Sequence, residues 1–218
     1  MYNIAVLGAG IVGVSTAVNI QKKLPGAKVR VISDRFDQDT TSWGAGGIFL
    51  PTTTRIQGLD EARLKKYAKD AWDQYSSIAT SELACETGIQ VVSGYVLFKQ
   101  EPQIPLYADY VYSFRKMTKD ELERQKLSDY NYGFYVQTLV VTVKKYYPWL
   151  LKRQKDNYNL NNSNADTNSI LQRCERLVPA VKVVHNYGHG SNGIILSWGS
   201  SLEALQLIIS SLSSKSKL

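Results

Sequence analysis

The stretch that decides the fold is IAVLGAGIVGVSTAVNI, residues 4–20. Ile4–Leu7 is a short apolar run of the kind that forms a buried parallel strand. The glycine-rich sequence GAGIVG follows directly at Gly8–Gly13, and apolar residues then recur at helical spacing as far as Ile20. Val29, Val31 and Ile32 indicate a second strand, which stops at Asp34. The order strand, glycine turn, helix, strand predicts a βαβ unit and an α/β fold with a parallel sheet.

The glycine spacing of GAGIVG is typical of a dinucleotide site. Gly8 permits the tight turn, Gly10 lets the backbone approach a pyrophosphate, and Gly13 lets the helix lie close to the strand. The amino terminus of the helix then offers N–H groups and a positive dipole end to the phosphates. Asp34 comes 21 residues after Gly13, where an acceptor for a ribose hydroxyl is expected. We therefore predict a bound dinucleotide.

These residues leave the identity of the dinucleotide open. The carboxylate of Asp34 accepts from a free ribose hydroxyl and would repel a 2′-phosphate, which disfavours NADP. The adjacent Arg35 weakens that argument. An NAD-dependent dehydrogenase requires only the first βαβ unit, so it stays open as an alternative.

Two later loops are candidates for ligand contact. Thr40–Ser42 and Gly44–Gly47 supply hydroxyls and permissive backbone for phosphates or a flat ring, although a simple flexible turn explains the same composition. The segment HNYGHGSNG, 185–193, contains His185 and His189 four residues apart. The glycines around His189 disfavour a helical metal pair, and no third ligand is evident. We expect no metal site there, and a loop whose backbone contacts a planar ligand.

The composition is that of an ordinary soluble globular protein, with 44% hydrophobic and 21% charged residues. The net charge of +7 indicates a nucleic-acid surface, a field that favours acidic substrates, or a solvated basic face. We favour the solvated face and expect no nucleic acid, because the basic residues are dispersed among acids. Cys85 and Cys174 are too few for a disulfide framework. We see no signal peptide and no apolar run of ~18 residues, and so expect no membrane span.

The middle of the chain alternates helical and extended patterns. We expect a helix over 60–87, a strand pair turning at Ser93-Gly94, a helix over 118–127 that begins with a capping box, an extended aromatic segment over 130–143, and a helix from Tyr147.

The last quarter of the chain is organised differently. The asparagine-rich stretch 156–169 predicts a loop or linker, because Asn side chains compete with backbone hydrogen bonds. We expect a helix over 170–178 and another over 200–212, the latter opened by a capping box from Ser200 to Glu203. Trp198 is expected in the core.

Together these segments resemble the D-amino-acid oxidase family. The stretches that carry the resemblance are Ile4–Gly13, Ile32–Phe36, Asp39–Ser42 ahead of Ala45–Gly47, and Val184–Glu203. His189-Gly190-Ser191 is more similar to the D-aspartate oxidase branch. The resemblance implies an FAD-binding, Rossmann-like α/β domain at 1–52 and 181–218. It also implies a mixed α+β substrate domain, incomplete in this chain, at 53–180.

The resemblance also implies the residues that hold FAD. Those expected at the adenosine and diphosphate are Gly8, Gly10, Ile11, Val12, Gly13, Asp34, Arg35, Thr40, Thr41 and Ser42. Those expected along the isoalloxazine are Ala45, Gly46, Gly47, Gly190, Ser191, Asn192, Gly193, Ile194 and Ile195. The implied reaction takes hydride from the α-carbon of a D-amino acid, especially an acidic one such as D-aspartate. With oxygen as acceptor it gives a 2-oxo acid, ammonia and hydrogen peroxide.

The chain departs from the family pattern in ways that bear on catalysis. Between Arg153 and Asp156, family members carry strands that bring the active-site tyrosines. Between Pro179 and Val184 they carry the arginine that grips the substrate carboxylate. Neither segment is in this sequence, and no spacing places another arginine (Arg55, Arg115 or Arg173) at the cleft. We therefore assign no catalytic residue and keep a catalytically silent flavin-binding isoform or paralogue as the alternative.

The tripeptide Ser216-Lys217-Leu218 matches the peroxisomal address that an import receptor reads at a carboxyl end. We therefore expect the protein in the peroxisome matrix. Deleting the tripeptide should leave an amino-terminal fluorescent fusion diffuse in the cytosol, as imaging would show. A fusion with residues appended after Leu218 should behave like the deletion. Peroxisomal fluorescence from the deleted form would show that the tripeptide is not the signal.

Overall fold

The computed structural model describes residues 2–52, 59–161 and 182–213, with helical side chains described through Asp156 in the second range. The elements are β1 (Asn3–Leu7), α1 (Ile11–Lys23), β2 (Lys28–Ile32), α2 (Glu61–Ala79), α3 (Ala84–Thr87), β3 (Ile89–Phe98), β4 (Ser113–Lys116), α4 (Lys119–Arg124), β5 (Tyr132–Val141), α5 (Val143–Asn161) and α6 (Gly193–Ser213). The predicted helix at 170–178, Arg55, Arg173 and the tripeptide at 216–218 lie outside the described residues.

The predicted βαβ opening is confirmed. β1 and β2 pair in parallel, from Asn3 opposite Lys28 to Leu7 opposite Ile32. α1 connects them and lies against both strands. Ala17 and Ile20 of α1 pack with Val29 of β2 and Leu205 of α6 in a small apolar cluster. α6 thus completes the core of the first unit.

A second sheet has three antiparallel strands in the order β3-β5-β4. The expected strand pair around Ser93-Gly94 is wrong, because β3 is one strand. All ten of its residues pair with β5, and Gly94 lies opposite Val136. A continuous partner of equal length satisfies the backbone groups without a hairpin. Ile48 forms a bridge to Val140 and so ties the segment after β2 to this sheet.

The helices enclose the main core. α2 and α6 pack on each other, and α1 packs on α5 and α6. Trp72, Tyr75, Tyr146, Leu150 and Leu196 are buried there. Trp198, expected in the core, belongs to the same cluster.

Several helix boundaries differ from expectation. The helix expected over 60–87 is two helices, α2 and α3. α5 begins at Val143 rather than Tyr147, so Pro148 lies inside it. The expected loop at 156–169 is wrong for 156–161, where α5 continues. Asn costs a helix only about 0.7 kcal/mol, so a formed helix extends through such residues.

The capping boxes have opposite outcomes. The one that opens α4 is confirmed, with the Thr118 hydroxyl and the Glu121 carboxylate each accepting the other's backbone N–H. The one expected at Ser200 is wrong, because α6 begins seven residues earlier at Gly193. The apolar run at 194–196 is buried, which extends the helix back to that point.

One helix bears on the expectation of no membrane span. Gly190–Ser213 is long and apolar enough by length and composition to cross one, and 56% of that window is buried inside the protein. A buried core helix of a soluble protein meets the same criterion.

The contact between α2 and α6 depends on a missing side chain. A Cβ at Gly199 would lie 2.1 Å from the Tyr67 carbonyl oxygen. Gly199→Ala should therefore lower the free energy of unfolding by about 1–3 kcal/mol, as urea denaturation would show, although alanine favours helix elsewhere. Gly193→Ala in the same helix meets nothing within 4 Å and should be neutral or slightly stabilising. Equal effects of the two changes would contradict the close crossing.

Candidate functional site

The glycine loop between β1 and α1 is folded tightly on itself. Gly8 has φ +97°, a conformation that favours glycine, and its N–H donates to the Ile32 carbonyl at 2.8 Å. A Cβ at Gly13 would lie 2.0 Å from the Gly8 carbonyl oxygen. Gly13 is therefore required by the packing of α1 on the loop, as the motif predicts.

The amino end of α1 carries the phosphate-binding potential of the loop. The first helical hydrogen bond runs from the Val14 N–H to the Gly10 carbonyl, at 3.0 Å. The N–H groups of Val12 and Gly13 precede it and so have no acceptor within the helix. No acidic side chain occupies the first turn of α1. The free N–H groups and the positive end of the helix dipole therefore both favour an anion at the amino end of α1.

Ser42 joins the second predicted loop to this helix end. Its Oγ accepts the Ile11 N–H at 2.9 Å. A Cβ at Gly10 would meet that same Oγ at 3.3 Å. The Thr40 hydroxyl donates to the Asp37 carbonyl at 2.8 Å, and Thr41 is exposed. Of the three hydroxyl residues, Ser42 is therefore the one that the structure brings to the glycine loop.

Asp34 and Arg35 follow β2 and face solvent. Their side chains are 84% and 71% exposed, and the guanidinium Nε lies 3.7 Å from the carboxylate. An ion pair this exposed contributes little to stability. Both groups are therefore available to a ligand beside the glycine loop.

Ala45, Gly46 and Gly47 have two different environments. Ala45 and Gly46 are exposed. Gly47 is buried, and a Cβ there would lie 2.1 Å from the Val141 carbonyl oxygen. Its own carbonyl accepts the Val141 N–H at 2.9 Å. Packing against β5 is thus sufficient reason for glycine at 47.

The third loop is divided in the same way. Gly190 and Ser191 are exposed, with Gly190 at φ +55°. Asn192 is buried, and its side chain accepts the Thr52 N–H at 3.3 Å and donates to the Thr52 carbonyl at 3.1 Å. This amide joins the end of the first predicted FAD-domain segment to the start of α6.

Ile194 and Ile195, also expected along the isoalloxazine, lie at the start of α6. Ile194 and Ile195 are 3% and 4% exposed and belong to the main core. Their side chains pack inside the protein, so the expected contact of these two residues with a planar ligand is one through their backbone. A run of apolar residues at the start of a buried helix accounts for this placement.

His185 and His189 lie beside a pocket of about 290 Å³ between α2, α6 and the coil at 185–189. The His189 Nε2 lies 2.7 Å from the Ser200 hydroxyl, and burial lowers the pKa of His189. The described residues include no group of three or more potential metal ligands. At the far wall, Arg63 pairs with Glu203 through two hydrogen bonds, of which the shorter is 2.8 Å. The pocket is separate from the glycine loop.

One contact with the glycine loop was not foreseen. The Tyr147 hydroxyl, on α5, donates a hydrogen bond to the Ala9 carbonyl inside GAGIVG. Nothing local distinguishes this residue among the 14 tyrosines of the chain, so only tertiary structure reveals it.

Comparison with solved structures agrees with this architecture. Iminodiacetate oxidase from Chelativorans sp. aligns with a TM-score of 0.50 at 16% sequence identity, over 71% of this chain and 45% of that one. At this identity the likeness concerns the fold alone.

Comparison of sequences finds relatives with higher identity than this solved structure. Human D-aspartate oxidase is 40% identical over 154 residues, which is 70% of this chain and 44% of that protein. D-amino acid oxidase from Dugesia ryukyuensis is 28% identical over 154 residues, or 70% of this chain and 45% of that protein. The chain thus spans less than half the length of these relatives. The family model described as FAD dependent oxidoreductase matches residues 3–158. With most of its length covered by that match, the chain belongs to the FAD-dependent oxidoreductase family.

Proposed function

We propose that the glycine loop of this protein binds FAD. The observation that carries the proposal is the amino end of α1, where Val12 and Gly13 present N–H groups without a helical acceptor. Asp34, exposed at the end of the neighbouring strand, is a suitable acceptor for ribose hydroxyls. The donor set therefore fits a diphosphate and the carboxylate fits an adenosine, which are the two polar parts of the ADP half of FAD.

The remaining FAD contacts are proposed for the residues that the sequence predicts at the cofactor. We propose that the adenosine and diphosphate contact Gly8, Gly10, Ile11, Val12, Gly13, Asp34, Arg35, Thr40, Thr41 and Ser42. We propose that the isoalloxazine lies near Ala45, Gly46, Gly47, Gly190, Ser191, Asn192, Gly193, Ile194 and Ile195. We propose that residues 1–52 and 181–218 form one discontinuous FAD domain and that residues 53–180 form the partial substrate domain. The hydrogen bonds between the Asn192 side chain and the Thr52 backbone support this pairing, because they join the two parts of the proposed FAD domain.

For the reaction, we propose oxidation of an acidic D-amino acid such as D-aspartate, as the name of the human relative suggests. FAD supplies the hydride acceptor when it is bound. The chain's own residues bind and orient that cofactor. Oxygen is the proposed second substrate, and 2-oxo acid, ammonia and peroxide are the proposed products.

A second candidate is a flavin-binding protein without turnover. Arg115, one of three arginines considered for the substrate carboxylate, donates to the Glu121 carboxylate at 2.8 Å. This guanidinium and the Thr118 N–H hold the pKa of Glu121 at about 2, so the pair persists at neutral pH. Arg115 also lies 5.0 Å from the centre of the Tyr135 ring. It is therefore already engaged on the second sheet.

Replacing Gly10 tests FAD binding directly. Gly10→Val should weaken FAD binding by about tenfold or more (~1.4 kcal/mol), because a branched side chain would occupy the approach of the diphosphate. The measurement is quenching of flavin fluorescence during titration of the purified chain.

Gly26→Val is the matched control, because a Cβ at Gly26 meets nothing within 4 Å and the residue lies in the turn before β2. It should bind FAD like the unaltered chain. Equal affinity of the Gly10 and Gly26 variants would remove the dinucleotide assignment.

Turnover separates the two candidate functions. We expect this 218-residue chain, loaded with FAD, to release peroxide from D-aspartate orders of magnitude more slowly than a full-length D-aspartate oxidase. A substrate carboxylate without a bidentate arginine is desolvated uncompensated, at a cost of several kcal/mol. The assay follows peroxide by a coupled dye, with D-alanine and L-aspartate as further substrates. A rate comparable to that of the full-length enzyme would show that another group binds the carboxylate.

A further inference from the structure

Tyr147 occupies an unusual position for a tyrosine of the core. Its side chain is 0% exposed, on a helix that contacts α1, β2 and the turn at 41–44. Its hydroxyl lies at the edge of the core and donates to the Ala9 carbonyl. Ala9 stands between Gly8 and Gly10, so this hydrogen bond acts on the middle of the glycine loop.

The same hydroxyl lies near the segment that follows β2. Burial raises the pKa of Tyr147, and the nearby backbone N–H of Asp37 opposes that rise. The hydroxyl therefore stays protonated at neutral pH and donates to Ala9 while facing Asp37. Asp37 has φ +47°, a conformation uncommon outside glycine, so its backbone is held by its surroundings.

These two segments lie on either side of the site proposed for the ADP half of FAD. The glycine loop supplies the diphosphate donors, and the exit of β2 supplies Asp34 and Arg35. β1 and β2 hold the two segments together from below through the Gly8–Ile32 hydrogen bond. Tyr147 lies between them on the α5 side. Its hydroxyl bonds the Ala9 carbonyl in the middle of GAGIVG and lies near Asp37, three residues beyond Asp34.

We propose that Tyr147 is a positioning residue for cofactor binding, whose hydroxyl fixes the glycine loop relative to the exit of β2. This inference rests on the proposed FAD site. The hydroxyl bonds a backbone carbonyl of the glycine loop, so it acts through the loop. Without it, the Ala9 carbonyl loses a buried donor and the peptide planes next to Gly10 are free to rotate.

Two neighbouring tyrosines provide the test. Tyr147→Phe removes only the hydroxyl, and Tyr146→Phe removes an equally buried hydroxyl that lies beside Tyr75 in the core, with ring centres 5.5 Å apart. We expect Tyr147→Phe to weaken FAD and ADP alike by roughly three- to tenfold, the effect of one buried hydrogen bond. Tyr146→Phe should leave both affinities unchanged. Flavin fluorescence gives the FAD affinity and calorimetric titration gives that of ADP, with unfolding midpoints measured in parallel.

The outcomes distinguish this inference from the proposed function. If the unaltered chain binds neither FAD nor ADP, the proposed cofactor site is wrong. If it binds both and Tyr147→Phe binds equally well, the positioning role is wrong. Equal weakening by the two substitutions would show a general packing effect, and weakening for FAD without ADP would place the effect away from the ADP half. Either result overturns the inference.

A measurement without cofactor keeps the inference testable in every case. Hydrogen exchange of the amides at 9–13 should be at least about threefold faster in the free Tyr147→Phe chain than in the free Tyr146→Phe chain, since the loop loses a local restraint. Unchanged exchange at these amides would overturn the positioning role whatever the binding data show.

Discussion

The space between the Gly8 carbonyl and α1 is the constraint on which the first unit depends. The carbonyl oxygen lies 2.0 Å from the point where a side chain on Gly13 would begin. Because that side chain is absent, α1 begins directly after β1. The N–H groups of its first turn, which have no acceptor within the helix, then lie at the carboxyl ends of the strands. Ser42 and Tyr147 then secure the same loop from two directions, one on the Ile11 N–H and the other on the Ala9 carbonyl.

A polar seam between α1 and α6 extends this arrangement. The Ser15 hydroxyl lies 3.4 Å from that of Ser197, and the Asn19 amide donates to the Ser201 hydroxyl at 2.7 Å. All four side chains are buried. Buried polar groups are costly unless paired, so this seam favours one register of the two helices over others. The glycine loop thereby acquires a fixed position relative to the loop that precedes α6.

How much of this could be predicted from sequence depended on how local the signal was. The βαβ unit and the capping box of α4 follow from short-range spacing, and both were confirmed. The capping box expected at Ser200 and the hairpin expected at Gly94 are wrong, because tertiary packing and strand pairing outweigh these short motifs. Burial of the residues at 194–196 begins α6 earlier, and a ten-residue partner keeps β3 continuous. Tyr147 was beyond prediction because its partner is 138 residues away.

The dependence of α1 on α6 has a consequence for synthesis of the protein. The seam joins residues separated by 182 positions, so α1 leaves the ribosome long before the helix that covers it. At a translation rate of ~5–20 residues per second, α6 is synthesised roughly 10–40 s after α1, and the apolar face of α1 is uncovered during that time. The packing of α1, and with it the final geometry of the glycine loop, is therefore complete only after translation of α6.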